Sequence, residues 1–166
     1  MSVNFFEENC QTSNITHERF GICDDENGDV AYISNKSEQN WIATAINEEN
    51  LSISFYAIDN CIEIRRQDGT MEKRCDGMLI YKDNVVFVEL KNQLKDWIQE
   101  GFEQLEATIQ HFMIVHDIEA IRHKRAFVAN KKKKHFHVIR HEMKKRFFDT
   151  YKVRINVEGT IKIKST

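Results

Sequence analysis

Residues 76–91 read Asp76-Gly77-Met78-Leu79-Ile80-Tyr81-Lys82-Asp83-Asn84-Val85-Val86-Phe87-Val88-Glu89-Leu90-Lys91. Two apolar runs flank the turn signal Lys82-Asp83-Asn84, so the stretch reads as a β-hairpin. Residues 85–88 are apolar at every position, as expected for a central strand covered on both faces. With the turn at Asp83-Asn84, Lys82 faces Val85, Met78 faces Glu89 and Asp76 faces Lys91. Side chains alternate along each strand, which puts Asp76, Glu89 and Lys91 on one face at one end. Directly opposite Cβ atoms lie roughly 5 Å apart and diagonal ones roughly 7 Å. Two carboxylates at that separation could grip one divalent cation, and oxygen-only ligation suits Mg²⁺ or Mn²⁺ better than zinc. The lysine adds a charge able to orient or deprotonate a water. The bland alternative is a surface Asp–Lys pair with Glu89 solvated. Against it, charged groups at the end of a doubly apolar strand need a reason, because buried unpaired charge is costly.

Outward from this hairpin the chain reads as mixed α/β. Residues 93–116 carry a broad apolar stripe of Leu94, Trp97, Ile98, Phe102, Leu105, Ile109, Phe112 and Met113, the pattern of a long amphipathic helix. Residues 126–129 suggest a buried strand, and residues 138–150 a second helix. A terminal hairpin is expected around Glu158-Gly159. On the N-terminal side, residues 1–17 suggest a ragged start, residues 19–33 a hairpin and residues 51–58 a strand. Another hairpin is expected around Gln67-Asp68-Gly69. Trp41, Ile42, Ala45 and Ile46 recur at helical spacing behind Ser37, which predicts a helix over residues 38–49. The expected architecture is a central mixed β-sheet flanked by helices.

The 166 residues suit one domain, and 41% hydrophobic with 30% charged residues fits a globular chain. The division expected is a core at about 38–130, an N-terminal hairpin addition at 1–36 and a basic C-terminal addition at 131–166. No apolar run approaches the roughly 18 residues that span a bilayer. No secretory signal pattern is evident, so no membrane partner and a cytoplasmic location with reduced thiols are expected. The net charge of −2 conceals a strong asymmetry. Residues 1–120 hold 9 Lys/Arg against 23 Asp/Glu, whereas residues 121–166 hold 15 against 3. A basic end of this kind suggests a surface for a polyanion.

The constellation Cys75-Asp76-Gly77 with Glu89-Leu90-Lys91 resembles the PD-(D/E)xK nuclease superfamily, over about residues 41–129. Cys75 stands where the motif's name has proline. The resemblance implies a restriction endonuclease-like core and Mg²⁺- or Mn²⁺-dependent hydrolysis of phosphodiester bonds. DNA is the expected substrate before RNA, in repair, restriction or phage defence. It also implies that Asp76 and Glu89 hold the metal with the Leu90 carbonyl, and that Lys91 holds the attacking water. A helix before the meander would offer Glu49, or else Glu48, to the site. The helix after it would offer Gln104, with Lys95 as the weaker candidate. The basic segment Lys131, Lys132, Lys133 and Lys134, with Lys124 and Arg125, would hold the phosphate backbone. Small members of this kind include junction resolvases, and a homodimer would supply two sites for two strands. The rival reading is a catalytically silent nuclease-like module, immunity or regulatory, that binds nucleic acid or a protein partner.

The remaining signals are weaker. His135 and His137 share a face and could bind zinc with His141 or His123, but no acidic or thiol ligand lies nearby in sequence. Cys61 and Cys75 could approach across the Gln67-Asp68-Gly69 turn; without a C-x-x-C pair, thiol chemistry has little support. Trp41 and Trp97 sit on apolar stripes and read as core.

Overall fold

The computed structural model describes residues 3–165. The chain is α/β, with two mixed sheets and two helices. Its strands are β1 (Gln11–Ile15), β2 (Arg19–Cys23), β3 (Tyr32–Ser34), β4 (Ala43–Ile46), β5 (Ile53–Ala57), β6 (Gly77–Tyr81), β7 (Asn84–Lys91), β8 (His123–Asn130), β9 (Arg154–Val157) and β10 (Thr160–Lys162). The helices are α1 (Trp97–Val115) and α2 (His141–Tyr151). The first sheet has the order β1-β5-β6-β7-β8-β9 and the second β10-β4-β2-β3.

The hairpin that organises the sequence organises the fold. All eight residues of β7 are buried, because β7 runs through the middle of the first sheet and is covered on both faces. On one face Val85 and Phe87 pack with Met78 against Leu105, Ile109 and Phe112 of α1. On the other, Val86 and Val88 pack with Leu79 against Phe20, Ile22, Ala45 and Ile161 of the second sheet. The molecule is therefore three layers: helices, first sheet, second sheet. Each fully buried Leu, Ile or Phe contributes roughly 1.5–3 kcal/mol of transfer free energy.

The hairpin register differs from expectation. Tyr81 pairs with Asn84 and Gly77 with Val88, so the turn residues are Lys82 and Asp83, and Lys82 takes the left-handed conformation at φ 48°. Two-residue connections favour positive φ because it matches the strand twist. The slip moves each partner by two positions. Faces are therefore preserved, and continuing the register places Asp76 opposite Glu89 rather than opposite Lys91.

Residues 38–49 are not a helix. A short 3-10 turn at Glu38–Asn40 leads into β4, and Ser37 makes no capping hydrogen bond. β4 lies between β2 and β10. Its second neighbour comes from the far end of the chain, invisible to local periodicity, and Ile42, Thr44 and Ile46 suit a strand as β-branched residues. Residues 153–164 are likewise not a hairpin. β9 joins the first sheet parallel to β8, while β10 joins the second sheet parallel to β4. Residues 61–74 form a loop with one isolated bridge, Arg65 to Met71. Within residues 3–17, β1 is an edge strand on β5. That pairing brings Cys10 to Cys61, and the two form a disulfide with Cα atoms 6.1 Å apart. Hence not all four thiols are reduced. Cys75 does not pair with Cys61; it is free and buried, as is Cys23. The additions at both ends of the chain thus supply strands to both sheets.

Helix α1 approaches the sheet closely at Gly101, where an added Cβ would lie 2.8 Å from Cγ1 of Val128. Val128 is in β8, fully buried, and has nowhere to move. Gly101→Ala should lower stability by about 1–3 kcal/mol through overpacking, although alanine is the better helix former by up to about 1 kcal/mol. Urea denaturation measures this; a gain in stability would show that α1 is free to shift.

Candidate active site at the end of the central strand

Asp76, Glu89 and Lys91 are buried together, at 6%, 2% and 9% exposure. β7 extends past the end of β6, which begins at Gly77. The unmatched end of β7 therefore offers backbone groups with no strand partner on that side. Asp76 takes up one of them: its Oδ2 accepts from the Leu90 N–H at 2.7 Å. A residue's N–H and C=O leave a strand on the same side, so the Leu90 carbonyl is also directed to the Asp76 side. The Lys91 carbonyl points the opposite way, accepting from the Lys131 N–H at 2.8 Å.

Glu89 and Lys91 project to the helix side, two residues apart. Lys91 Nζ lies 3.3 Å from Glu89 Oε2 and 3.6 Å from Glu100 Oε2. It donates to Gln104 Oε1 at 2.6 Å. Gln104 and Glu100 lie one turn apart on α1, so they face the same point. Gln93 Nε2 holds the Glu100 carboxylate at 3.0 Å. One turn further along α1, Thr108 accepts from the Cys75 N–H through Oγ1 at 2.7 Å, fixing the segment that carries Asp76. Gln104, expected as the polar side chain this helix offers to the site, thus lies beside Lys91. Lys95 is exposed and makes no such contact.

Glu49 and Glu48 do not reach the group. With no helix over residues 38–49, both are exposed in the turn after β4, beside Lys162 and Lys164. The acids that do act on the pair electrostatically are Asp24, in the loop after β2, and Asp59, after β5. Local sequence patterns could not identify them, because both arrive through sheet pairing.

The electrostatics follow from burial. Asp76 is held well above the ordinary carboxylate range, first by desolvation and then by the adjacent Glu89 charge. Desolvation also pushes Glu89 up, to about 7, against the opposing effect of Lys91. Glu89 and Asp76 act on each other across the site, so near neutral pH the pair retains a proton in the absence of any other cation. Glu89 Oε1 is buried without a hydrogen-bond partner, a costly state unless something else satisfies it. Two carboxylates and one backbone carbonyl form an oxygen-only donor set that fits a hard divalent cation. Among the described residues no three His, Cys, Asp or Glu side chains form a metal-holding cluster. That includes the histidines: His135 stacks on His137, and His137 packs edge-on to Trp97.

The basic candidates divide between two places. Residues 131–134 form the turn after β8, at the same end of the sheet as Lys91. Lys124 and Arg125 sit at the other end of β8, where Lys124 donates to the Ile121 carbonyl and Arg125 to the Tyr81 hydroxyl. They do not flank the carboxylates.

The fold and this site thus define an α/β protein with a paired buried carboxylate centre supported by a lysine. No family model, no curated protein and no solved structure matches the chain. No helix among the described residues is long and apolar enough to cross a membrane.

The raised Glu89 value sets a sign for pH dependence. The folded state binds this proton more tightly than the unfolded chain, so its contribution to stability is full below about pH 4.5. It is lost as pH rises through about 7. Glu89→Gln removes that loss. In EDTA its stability relative to the parent should increase between pH 5 and pH 8, by roughly 2 kcal/mol. Denaturant melts at the two pH values test this; a difference independent of pH would show that Glu89 ionises freely.

Proposed function

We propose that the chain is a metal-dependent nuclease with a restriction endonuclease-like core, hydrolysing phosphodiester bonds of DNA at Asp76, Glu89 and Lys91. The observation that carries this reading is the orphaned Glu89 Oε1 beside Asp76 and Lys91, all buried at the unmatched end of β7. Structural ion pairs do not ordinarily leave a buried carboxylate oxygen empty, because nothing offsets the desolvation.

In this reading Asp76, Glu89 and the Leu90 carbonyl hold Mg²⁺ or Mn²⁺. When bound, such an ion polarises a phosphoryl oxygen and makes a water more acidic. The chain's own groups do the rest. Asp76 is oriented by the Leu90 N–H, leaving its other oxygen free to ligate. Binding a cation requires both carboxyls to release the proton they retain, so metal affinity falls as pH falls through about 7. Lys91 is positioned by Gln104 and Glu100. Its ammonium can hold a water for in-line attack and offset negative charge that grows on the phosphoryl oxygens. Gln104 has no charge to contribute; its carbonyl fixes the Nζ position.

Lys91→Ala and Asp76→Ala should each reduce Mn²⁺-dependent DNA cleavage by at least about 100-fold. Gln104→Ala should cost about tenfold, as expected for lost positioning. Circular dichroism should show the fold unchanged. Calorimetry should find Mn²⁺ binding in the parent and in Lys91→Ala but not in Asp76→Ala. Equal Mn²⁺ binding by Asp76→Ala would place the metal elsewhere, and cleavage retained by Lys91→Ala would remove the lysine from the reaction.

A further inference from the structure

A second basic surface lies apart from the carboxylate centre. It is a groove of about 680 Å³ on the second-sheet side of β8 and β9. Seven Lys/Arg side chains and His123 line it, against a single carboxylate, Glu158. Arg122 and Lys124 come from the start of β8, Lys152 and Arg154 from the start of β9, and Lys162 and Lys164 from the end of β10. Phe127 forms part of the floor, on the face of β8 turned to the second sheet. Glu89 and Lys91 project from the opposite face, towards α1. Asn84, which also lines the groove, is at the other end of β7 from Lys91, about 23 Å along the strand.

Glu48 and Glu49, outside the lining, lie beside Lys162 and Lys164, but the groove itself holds seven cations against one carboxylate. Among the described residues, none of its seven Lys/Arg side chains has a carboxylate within 4.0 Å. Elsewhere in the same segment Lys145 pairs with Asp149 and Arg146 with Glu106. Three of the groove cations lie over aromatic rings, with Arg154 4.9 Å and Lys152 5.4 Å from the Phe148 ring centre, and Arg125 5.6 Å from that of Phe127. Those contacts hold the cations at defined places without reducing their charge. Seven like charges around one concavity repel, which is destabilising without a polyanion.

We propose that this groove binds the phosphate backbone of a nucleic acid, as an anchoring site separate from the carboxylate centre. A concave surface suits a strand that can enter it, whereas a bilayer is flat and engages cations that protrude. A backbone path also exists between the two places. The turn at residues 131–134 is bonded at one end to the Lys91 carbonyl, and at the other the Lys134 carbonyl accepts from Gly159, next to Glu158 of the groove. Its four lysines, half-buried or exposed, add positive charge at that end of the sheet. A nucleic acid anchored in the groove would therefore be led to the end where Asp76 and Glu89 lie. The anchoring role goes beyond the nuclease reading and does not depend on cleavage.

The test is binding of a fluorescent DNA duplex in EDTA, across a range of salt concentrations. The double variant Arg154→Glu/Lys162→Glu should bind at least tenfold more weakly at about 0.1 M salt. Its log–log salt slope should shrink by about two, near 0.9 for each phosphate no longer neutralised. Lys36→Glu/Lys73→Glu, with the same change in net charge at exposed residues that do not line the groove, should weaken binding less than threefold. Should the glutamate pair fail to fold by circular dichroism, Arg154→Gln/Lys162→Gln keeps the comparison, with a smaller loss in the same direction. Unchanged DNA affinity in the groove variant would overturn the proposal, as would equal losses in the two double variants. Loss of binding to phosphatidylserine vesicles with DNA affinity intact would overturn it in favour of a membrane surface. Binding in EDTA is read without cleavage, so a failure of the nuclease reading would leave this result standing.

Discussion

The two-residue turn at Lys82 and Asp83 sets the register on which the site depends. Side chains along a strand alternate with period two, so a slip of one residue in a single strand would turn its side chains to the other face. The slip between the expected and observed pairing is of even parity, and so Asp76, Glu89 and Lys91 keep a common end and a common neighbourhood. The observed register brings Asp76 opposite Glu89. It also lets β7 outrun β6, and this overhang is what exposes the Leu90 N–H and C=O to the site. Asp76 then stands in for the missing strand by accepting the Leu90 N–H. The carboxylate is thus held by the same bond that completes the backbone pairing.

What could be read from the sequence divides according to how local its cause is. β6, the turn, β7 and α1 are contiguous, and their patterns are strong: a doubly apolar strand and a long stripe. Asp76, Glu89, Lys91 and Gln104 all lie on or beside these elements, so their convergence could be foreseen. The N-terminal half was harder, because its strands answer to distant partners. Trp41, Ile42, Ala45 and Ile46 fit a helical period, yet they lie in or next to a strand held between β2 and β10. Helix periodicity over so few residues does not exclude a strand when the partner is elsewhere. Glu49 fell with that helix. Cys10 and Cys61 were unforeseeable for the same reason, since only the β1–β5 pairing makes them neighbours.

Charge follows a related rule at longer range. The basic end of the chain does not simply cancel the acidic remainder. Few of its cations meet a carboxylate, and most of the unpaired ones lie in the groove and in the turn at residues 131–134. Composition could show that an excess of positive charge exists; it could not show that Lys124 and Arg125 lie at the far end of β8 from the carboxylates while the Lys131 N–H bonds to the Lys91 carbonyl.

That separation follows from the short link Glu158-Gly159. A tight turn there would normally close a hairpin, keeping both strands in one sheet. Here the Glu158 N–H bonds to Val128, the Gly159 N–H to Lys134, and the Gly159 carbonyl accepts from Thr44 of the other sheet. The link hands the chain from the first sheet to the second, and β9 and β10 diverge. Alternation along the two strands then gives the groove its character. Ile155, Val157, Ile161 and Ile163 are buried in the two cores, while the intervening Arg154, Lys162 and Lys164 stay outside. A hairpin would have placed those cations along one ribbon. The divergence instead sets them around a concavity, on the face of the central sheet that the carboxylates do not use. The same C-terminal segment therefore closes both hydrophobic cores and leaves its positive charge free for an anionic partner.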